Sequence, residues 1–445
     1  MELVSNPIPP SRTPRSRTRP TSAPESSALP ARPSPAGSKP PRDISIDLVR
    51  AGSLIVVVFV HALMVGVTVG PNGLVTGNAL SGVPWFAAVT WVLQVMPLFF
   101  IAGGFSAITS RRRLAAAGGT AGEFIRARLL RLLVPASVMI AVVGAALAVF
   151  GQLGVPARIL ADAGFHIGQP LWFLGVYIGY SALVPVMVWL HGRARLATPA
   201  VLLACALAVD IVRLGTGVEL IGYLNLAFVW LFVQQLGFFV ADDALARYSV
   251  RSRLFVAGAV LAALVTLTAT GAYSANMIVN LNPPTICLAL LGIVQLLVFS
   301  VVRHRIRTWA GAPPRRAVLS ALGARAMTVY LWHMSAMLIL VGAMALLRMP
   351  LPAPRSADWW LTRPAWLAAA ALLTFAAVRV FGRFEKIPDA GKSPGTLRAA
   401  TGAACGAAGI VVILVAGFTP STAFVALTLV GFALMAVTPG ARRSA

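Results

Sequence analysis

Long apolar stretches alternate with short polar segments along most of this chain. Each stretch holds about 20 residues, the length that an α-helix needs to cross the hydrocarbon core of a bilayer. Twelve such stretches can be distinguished, near residues 46–69, 85–109, 132–151, 171–190, 198–214, 220–240, 254–271, 284–302, 322–347, 363–383, 399–418 and 420–439. The pattern predicts an all-α, polytopic transmembrane helical bundle of about 12 spans, and it excludes a soluble globular domain.

The distribution of charge supports this prediction and explains a net charge of +24. Charged residues make up 11% of the chain, against about 25% in soluble domains. With the N-terminus on the cytoplasmic side, most of the 37 Lys and Arg residues fall in the inner loops and tails. The positive-inside rule therefore favours both termini in the cytoplasm. The basic residues are expected to contact membrane lipids, and nucleic acid is not expected as a partner.

The composition divides the chain into three regions. Residues 1–42 are rich in Pro, Ser and Arg and are predicted to form a disordered, basic cytoplasmic tail. Residues 43–385 contain the first ten spans, and residues 386–445 contain a C-terminal helix pair and a short basic tail. The His and Cys residues lack the spacing of a zinc site, so neither a metal nor a bound cofactor is expected.

A row of ionisable residues falls inside the first span. His61 follows Arg50 by eleven residues, so the two side chains share a helix face and lie about 16 Å apart along the axis. Asp47 lies one turn before Arg50 and is a candidate ion-pair partner for it. Ionisable groups are costly in hydrocarbon, so the row indicates a functional site. The structural alternative for His61 is a packing residue that bonds a neighbouring helix.

Five local sequences occur in order on the predicted spans. They are Asp-Ile-Ser-Ile-Asp-Leu-Val-Arg at 43–50, Pro-Leu-Phe-Phe-Ile-Ala-Gly-Gly-Phe-Ser at 97–106, Phe-Ile-Arg-Ala-Arg-Leu-Leu-Arg-Leu-Leu-Val-Pro at 124–135, Pro-Leu-Trp-Phe-Leu at 170–174 and Val-Tyr-Leu-Trp-His-Met at 329–334. Together they resemble the bacterial integral-membrane acyltransferase family 3. The resemblance implies a ten-helix acyltransferase core, followed by the C-terminal pair, that O-acylates sugars, polysaccharides, lipids or natural products.

The resemblance also assigns candidate site residues. The family pattern of an Arg, ten residues and a His in the first helix corresponds to Arg50 and His61. The family's Arg-x-x-Arg corresponds to Arg128 and Arg131 at the start of the third span. Many members carry a glutamate pair after Trp-Phe-Leu, where this chain has Gly175-Val176-Tyr177. This departure leaves the class of acceptor open.

These residue types suit the transfer of an acyl group from a thioester to a hydroxyl. The reaction needs a base near neutral pH, and histidine has an unperturbed pKa of about 6.5, so His61 is the candidate catalytic base. Arg50, Arg128 and Arg131 are candidate binding residues for the phosphates of a cytoplasmic acyl-CoA, because a guanidinium group binds phosphate through two hydrogen bonds.

Trp172 and His333 are two further substrate-binding candidates. Trp172 is expected beside the acceptor or thioester path, although it also fits an outer aromatic belt. His333 is expected near mid-membrane at the depth of His61, where it either assists the acceptor site or packs between helices.

The sequence therefore predicts an acyl-CoA-dependent membrane O-acyltransferase in the cytoplasmic membrane of a bacterium. The resemblance favours acetyl-CoA as the co-substrate, and a hydroxylated sugar, a glycolipid or a natural product as the acceptor. The alternative is a secondary transporter or flippase of a polar or lipid-linked metabolite, which twelve spans with both ends inside also suit. Transporters usually carry repeats and broken helices near mid-membrane, and neither is evident in the sequence.

Overall fold

The structure is a computed structural model that describes residues 43–70, 73–386 and 395–438; the predicted tail at 1–42 lies outside the described residues. The helices in these ranges are α1 Ile44–Met64, α2 Pro84–Leu93, α3 Met96–Ala116, α4 Ala121–Gln152, α5 Ala157–Gly168, α6 Leu171–Arg193, α7 Ala197–Thr216, α8 Asn225–Ala241, α9 Val250–Ala269, α10 Ile286–Ala310, α11 Pro313–Ala324, α12 Ala326–Leu346, α13 Ala357–Phe381, α14 Thr396–Ala416 and α15 Pro420–Val437. Two strands, β1 Val65–Gly70 and β2 Gly73–Asn78, and short 3-10 helices at Glu219–Leu224 and Gly382–Glu385 complete the described elements.

Twelve helical segments among the described residues are long and apolar enough to cross a membrane. The predicted all-α bundle and its number of spans are therefore confirmed. The third span begins earlier than predicted, because α4 starts at Ala121 rather than near 132. A capping box fixes this start: Thr120 Oγ1 accepts the Glu123 N–H, and the Glu123 carboxylate accepts the Thr120 N–H. Arg128 and Arg131 consequently lie on a helix.

The first span is shorter than predicted, because α1 ends at Met64 and the chain continues as a β-hairpin. The segment Val65–Gly70 alternates valine with glycine and threonine, and its β-branched valine and threonine residues favour a strand over a helix. β1 pairs with β2 in antiparallel register along the whole of Val65–Gly70 and Gly73–Asn78. His61 therefore lies in the last turn of α1, next to the hairpin.

The second span, predicted as one helix over 85–109, is broken into two. α2 ends at Leu93 and α3 begins at Met96. Pro97, in the first turn of α3, has no N–H and cannot donate to the carbonyl of Leu93, as a continuous helix would require. The Gln94 side chain satisfies backbone groups at the break: its Nε2 donates to Met277 O at 3.0 Å and its Oε1 accepts the Met96 N–H at 3.4 Å. The expectation of unbroken spans is wrong here.

α14 and α15 pack against each other and against α4 and α6. Glycines permit this close contact. A Cβ at Gly409 of α14 would lie 2.9 Å from Ala426 O of α15, and a Cβ at Gly144 of α4 would lie 2.6 Å from Ala423 Cβ. The C-terminal helix pair is thus an integral part of the helix bundle.

Candidate active site

A cavity of about 210 Å³ brings together five of the six residues that the sequence singled out. Arg50, His61, Arg128, Arg131 and Trp172 line it, although they come from three separate helices. α1 contributes both Arg50 and His61, so the cavity follows the helix face that their spacing predicted. It is also lined by residues of α3, α11 and α12.

The cavity has two ends with different chemistry. We call the part around Arg50, Arg128 and Arg131 the arginine end, because these three arginines line the cavity there. We call the part around His61 and Met64 the histidine end; it lies about three helical turns further along α1.

His333, the sixth candidate, lies behind His61 and does not line the cavity. His61 Nδ1 and His333 Nε2 are 3.1 Å apart, and the two rings stack with their centroids 5.1 Å apart. His333 is fully buried in α12, and its Nδ1 lies 2.7 Å from the carbonyl oxygen of Tyr330. The contact between His61 and His333 could not be predicted from a local pattern, because the two histidines are 272 residues apart.

The carbonyl of Tyr330 fixes the direction of these hydrogen bonds. A carbonyl oxygen only accepts, so His333 Nδ1 carries the hydrogen. In the neutral pair, His333 Nε2 then has a lone pair and accepts a hydrogen bond from His61 Nδ1–H. His61 Nε2 is left with a free lone pair and no hydrogen-bond partner among the described residues.

Side chains of α13 hold the end of α1 that carries His61. Trp366 Nε1–H donates to Ala62 O at 2.9 Å, and the Arg363 guanidinium donates to Val65 O at 3.3 Å. Both carbonyls lie at the C-terminus of α1, where intrahelical donors run out. The backbone that bears His61 is therefore anchored to α13 on one side, while the imidazole is bonded to α12 on the other.

The arginine end carries an excess of positive charge, three arginines against Asp47. Arg128 donates to Ser110 Oγ at 3.0 Å. In the part of the chain that the structure describes, Arg50, Arg128 and Arg131 form no ion pair, and the proposed Arg50–Asp47 pair is not made. Arg50 Nε is buried and has no hydrogen-bond partner among the described residues. Such a cluster is suited to bind an anion.

Aromatic residues of α6 form one wall of the cavity. Trp172 stacks on the buried Trp230 with a centroid distance of 6.1 Å, and Phe173 makes an edge contact with Phe99 of α3 at 5.4 Å. Trp172 thus lies in the bundle interior, at the cavity, and not in a lipid-facing aromatic belt. Tyr330 O–H donates to Pro170 O at 2.6 Å and ties α12 to the start of α6.

Several lining residues were missed at the sequence level. Gln94, Val95 and Met96 at the break between α2 and α3 reach the cavity, as do Tyr177 and Tyr330. Pro97 was the signal for the break, since a proline in the middle of a predicted span favours a new helix start over a helix interior. Tyr330 stands three residues before His333, which places both on one helix face.

Comparison with known proteins adds the family. The model of a family described as an acyltransferase domain matches residues 43–381, a range that contains all six candidate residues. No curated protein and no solved structure matches the chain. The match covers well over half of the sequence, so the chain belongs to the membrane acyltransferase family 3.

Proposed function

We propose that this membrane acyltransferase moves an acyl group, acetyl in the simplest case, from acyl-CoA to a hydroxyl of its acceptor. His61 is the catalytic base in this proposal. The observation that carries it is the chain of hydrogen bonds from Tyr330 O through His333 to His61, because it leaves His61 Nε2 as a proton acceptor facing the cavity.

The arginine end is the proposed site of the acyl-CoA phosphates. Guanidinium groups bind phosphate with charge-assisted hydrogen bonds, and these three have no carboxylate partner within the described residues. A cavity of about 210 Å³ is smaller than the range of about 300–1,000 Å³ for sites that enclose a whole drug-sized ligand. The nucleotide would therefore remain at the mouth, while the pantetheine arm carries the thioester towards His61.

The proposed reaction is a single acyl transfer. His61 Nε2 takes the proton of the acceptor hydroxyl as its oxygen bonds to the thioester carbonyl carbon. The carbon–sulfur bond then breaks, and the thiolate takes the proton back from His61 to leave as free CoA. His61 Nδ1–H keeps its hydrogen bond to His333 Nε2 throughout, so the imidazole does not have to turn.

The break between α2 and α3 is the one observation that favours the alternative, because transporters place broken helices near mid-membrane. The break also suits an enzyme, since irregular backbone is tolerated at membrane depth where it lines a cavity. Membership of an acyltransferase family and the arrangement of Arg50 and His61 favour the acyltransferase.

The test is thioester turnover by the purified protein in nanodiscs. Acetyl-CoA is supplied with an extract of cell-envelope lipids and glycans, and free CoA is followed with a thiol reagent. The expected result is extract-dependent release by the wild type and a loss of at least about 100-fold in His61→Gln. His304→Gln, a histidine outside the cavity, is the matched control and should retain activity. Equal release by His61→Gln and the wild type would overturn the role of His61.

A further inference from the structure

The histidine end of the cavity is almost entirely apolar. Met64, Leu93 and Ile278 pack together around the end of α1, and Leu281, Phe99 and Phe173 continue the lining. Asp47, the cavity's acidic lining residue, belongs to the arginine end, since it lies one turn before Arg50. An acceptor that reaches His61 would therefore be surrounded by aliphatic and aromatic side chains.

The polar side chains at the histidine end already have partners within the protein. Both ends of the Gln94 amide are bonded, Nε2 to Met277 O and Oε1 to the Met96 N–H. The Tyr330 hydroxyl donates its hydrogen to Pro170 O. The Tyr330 hydroxyl therefore has no hydrogen left for a substrate, whereas the Gln94 amide keeps its second N–H.

Few polar atoms at this end remain available to a substrate. They include His61 Nε2, an acceptor, the second N–H of the Gln94 amide, and the Trp172 indole N–H, a donor with no hydrogen-bond partner among the described residues. Ser53 and Tyr177 line the cavity closer to the arginines: Ser53 precedes His61 by about two helical turns, and Tyr177 follows Trp172 by more than one. The histidine end can thus match one reacting hydroxyl and few further polar groups.

The lining discriminates between classes of acceptor. A sugar ring would bring several hydroxyls against mainly aliphatic and aromatic side chains, which is unfavourable because each buried polar group needs a partner. A hydroxyl on an apolar carbon framework needs one partner, His61 Nε2, and its framework gains by leaving water for an apolar lining.

We propose that the acceptor presents a single reacting hydroxyl on an apolar framework, as a membrane-partitioned alcohol does, and that an unprotected saccharide is not the acceptor. The inference rests on the proposed acyl transfer and narrows its substrate class.

The test compares acceptors that share one apolar group. Linear and polycyclic monohydroxyl alcohols and their β-glucosides are each incorporated into nanodiscs with the wild-type protein and acetyl-CoA, and mass spectrometry locates the acetyl group. The expected result is acetylation of at least one free alcohol with kcat/KM at least about 10-fold above that of its glucoside. Preferential acetylation of a sugar hydroxyl, or no acetylation of any free alcohol, would overturn the inference.

The extract assay keeps this outcome separate from the proposed acyl transfer. His61-dependent CoA release with the extract supports the acyltransferase whichever acceptor is found, and loss of that release would remove both proposals. When the extract is partitioned, the activity should follow the organic phase and the product should carry acetyl on an apolar alcohol. Acetylated glycan as the product would overturn the inference alone.

A pair of variants at Leu281 tests the lining directly. Leu281→Gln introduces an amide into the histidine end and should lower kcat/KM for the apolar alcohol about 10-fold. Leu281→Met conserves the volume and apolarity of the side chain and should remain within about threefold of the wild type. Equal kcat/KM for both variants, each confirmed as folded by its elution profile, would contradict an apolar acceptor.

Discussion

His61 is paired with a second histidine where a general base more commonly has a carboxylate partner. The role that this leaves for His333 is orientation: its Nε2 holds the hydrogen of His61 on Nδ1, and the Tyr330 carbonyl holds the hydrogen of His333 on its own Nδ1. The reactive lone pair is thereby kept at His61 Nε2. In the proposed reaction His333 is a positioning residue, since it touches His61 and does not line the cavity.

Substitution of His333 tests this role. His333→Leu removes the acceptor of the His61 Nδ1–H bond and should lower kcat about 100- to 1,000-fold, because the wrong tautomer becomes accessible. His333→Gln offers an amide oxygen at a similar distance and should recover most of kcat. The KM for acetyl-CoA should stay unchanged in both. If His333→Leu and His333→Gln reduce kcat equally, His333 has only a packing role.

The arginine end makes a separate prediction about the donor. Arg128→Gln should raise the KM for acetyl-CoA about 10-fold or more, the equivalent of one lost charge-assisted hydrogen bond, while kcat changes little. Arg113→Gln is the matched control, because Arg113 is an exposed arginine near the end of α3 and does not line the cavity. Steady-state kinetics with acetyl-CoA would measure KM for both variants. Equal KM values for Arg128→Gln and Arg113→Gln would mean that the CoA phosphates bind elsewhere.

At the scale of elements, the spans and the register of α1 could be predicted from the sequence, because hydrophobic length and helical periodicity are local properties. Arg50 and His61 share a cavity as their spacing required. The break at Gln94 was missed, because its cause is the long-range bond from Gln94 to Met277 together with Pro97. The hairpin after Met64 was missed because its residues are as apolar as those of the helix.

The start of α1 is held by an acidic N-cap. Asp43 accepts hydrogen bonds from the Ser45 N–H at 3.0 Å, from Arg303 of α10 at 2.8 Å and from Arg307. Burial alone would raise the pKa of Asp43, but the hydrogen bonds from Arg307, Ser45 and Arg303 outweigh it and hold the pKa well below its usual range. The ionised carboxylate therefore stabilises the folded state at neutral pH.

The sign of this effect gives a pH-dependent prediction. The stabilisation is complete above the unfolded pKa of about 3.9 and is lost as the pH falls below that value. Asp43→Asn keeps a capping oxygen and loses the charge, so it should destabilise the protein by about 1–3 kcal/mol at pH 7. Thermal unfolding in detergent should show a lower midpoint for Asp43→Asn at pH 7 and a smaller difference at pH 3. A constant difference would contradict the charge-based account.

At the scale of the whole molecule, the C-terminal pair supports the walls of the cavity. α14 and α15 lie outside the family match and pack on α4 and α6, the helices that carry Arg128, Arg131 and Trp172. Arg126 of α4 donates to Val437 O at the end of α15. A Cβ at Gly175 of α6 would lie 3.5 Å from Ile410 of α14. One position where many family members have an acid therefore faces the C-terminal helix pair.

The glycine contacts allow the pair to be loosened without removing it. Gly409→Val should lower the thermal midpoint, because its Cβ would lie 2.9 Å from the backbone oxygen of Ala426 and the helices must separate. Gly431→Val in α15 is the matched control, since a Cβ there meets nothing within 4 Å. The midpoint of thermal unfolding and kcat should both fall in Gly409→Val, and neither should fall in Gly431→Val. Equal midpoints for the two variants would show that the pair does not support the bundle.

The orientation of the bundle decides which donor can reach the arginine end. The positive-inside rule predicts that both termini and α11 lie on the cytoplasmic side, and α11 contributes Leu319 and Leu322 to the cavity lining. A cytosolic acyl-CoA can then reach Arg50, Arg128 and Arg131 directly. The opposite orientation would leave the arginine end facing away from cytosolic CoA.

Cysteine labelling tests this orientation in intact cells. Cys205, Cys287 and Cys405 are first replaced by alanine, and single cysteines are introduced at the exposed positions Arg316 in α11 and Arg348 after α12. An impermeant maleimide should label Arg348→Cys from outside and Arg316→Cys only after permeabilisation. The reverse pattern would leave the family and the fold unchanged, but it would remove cytosolic acyl-CoA as the donor at the arginine end.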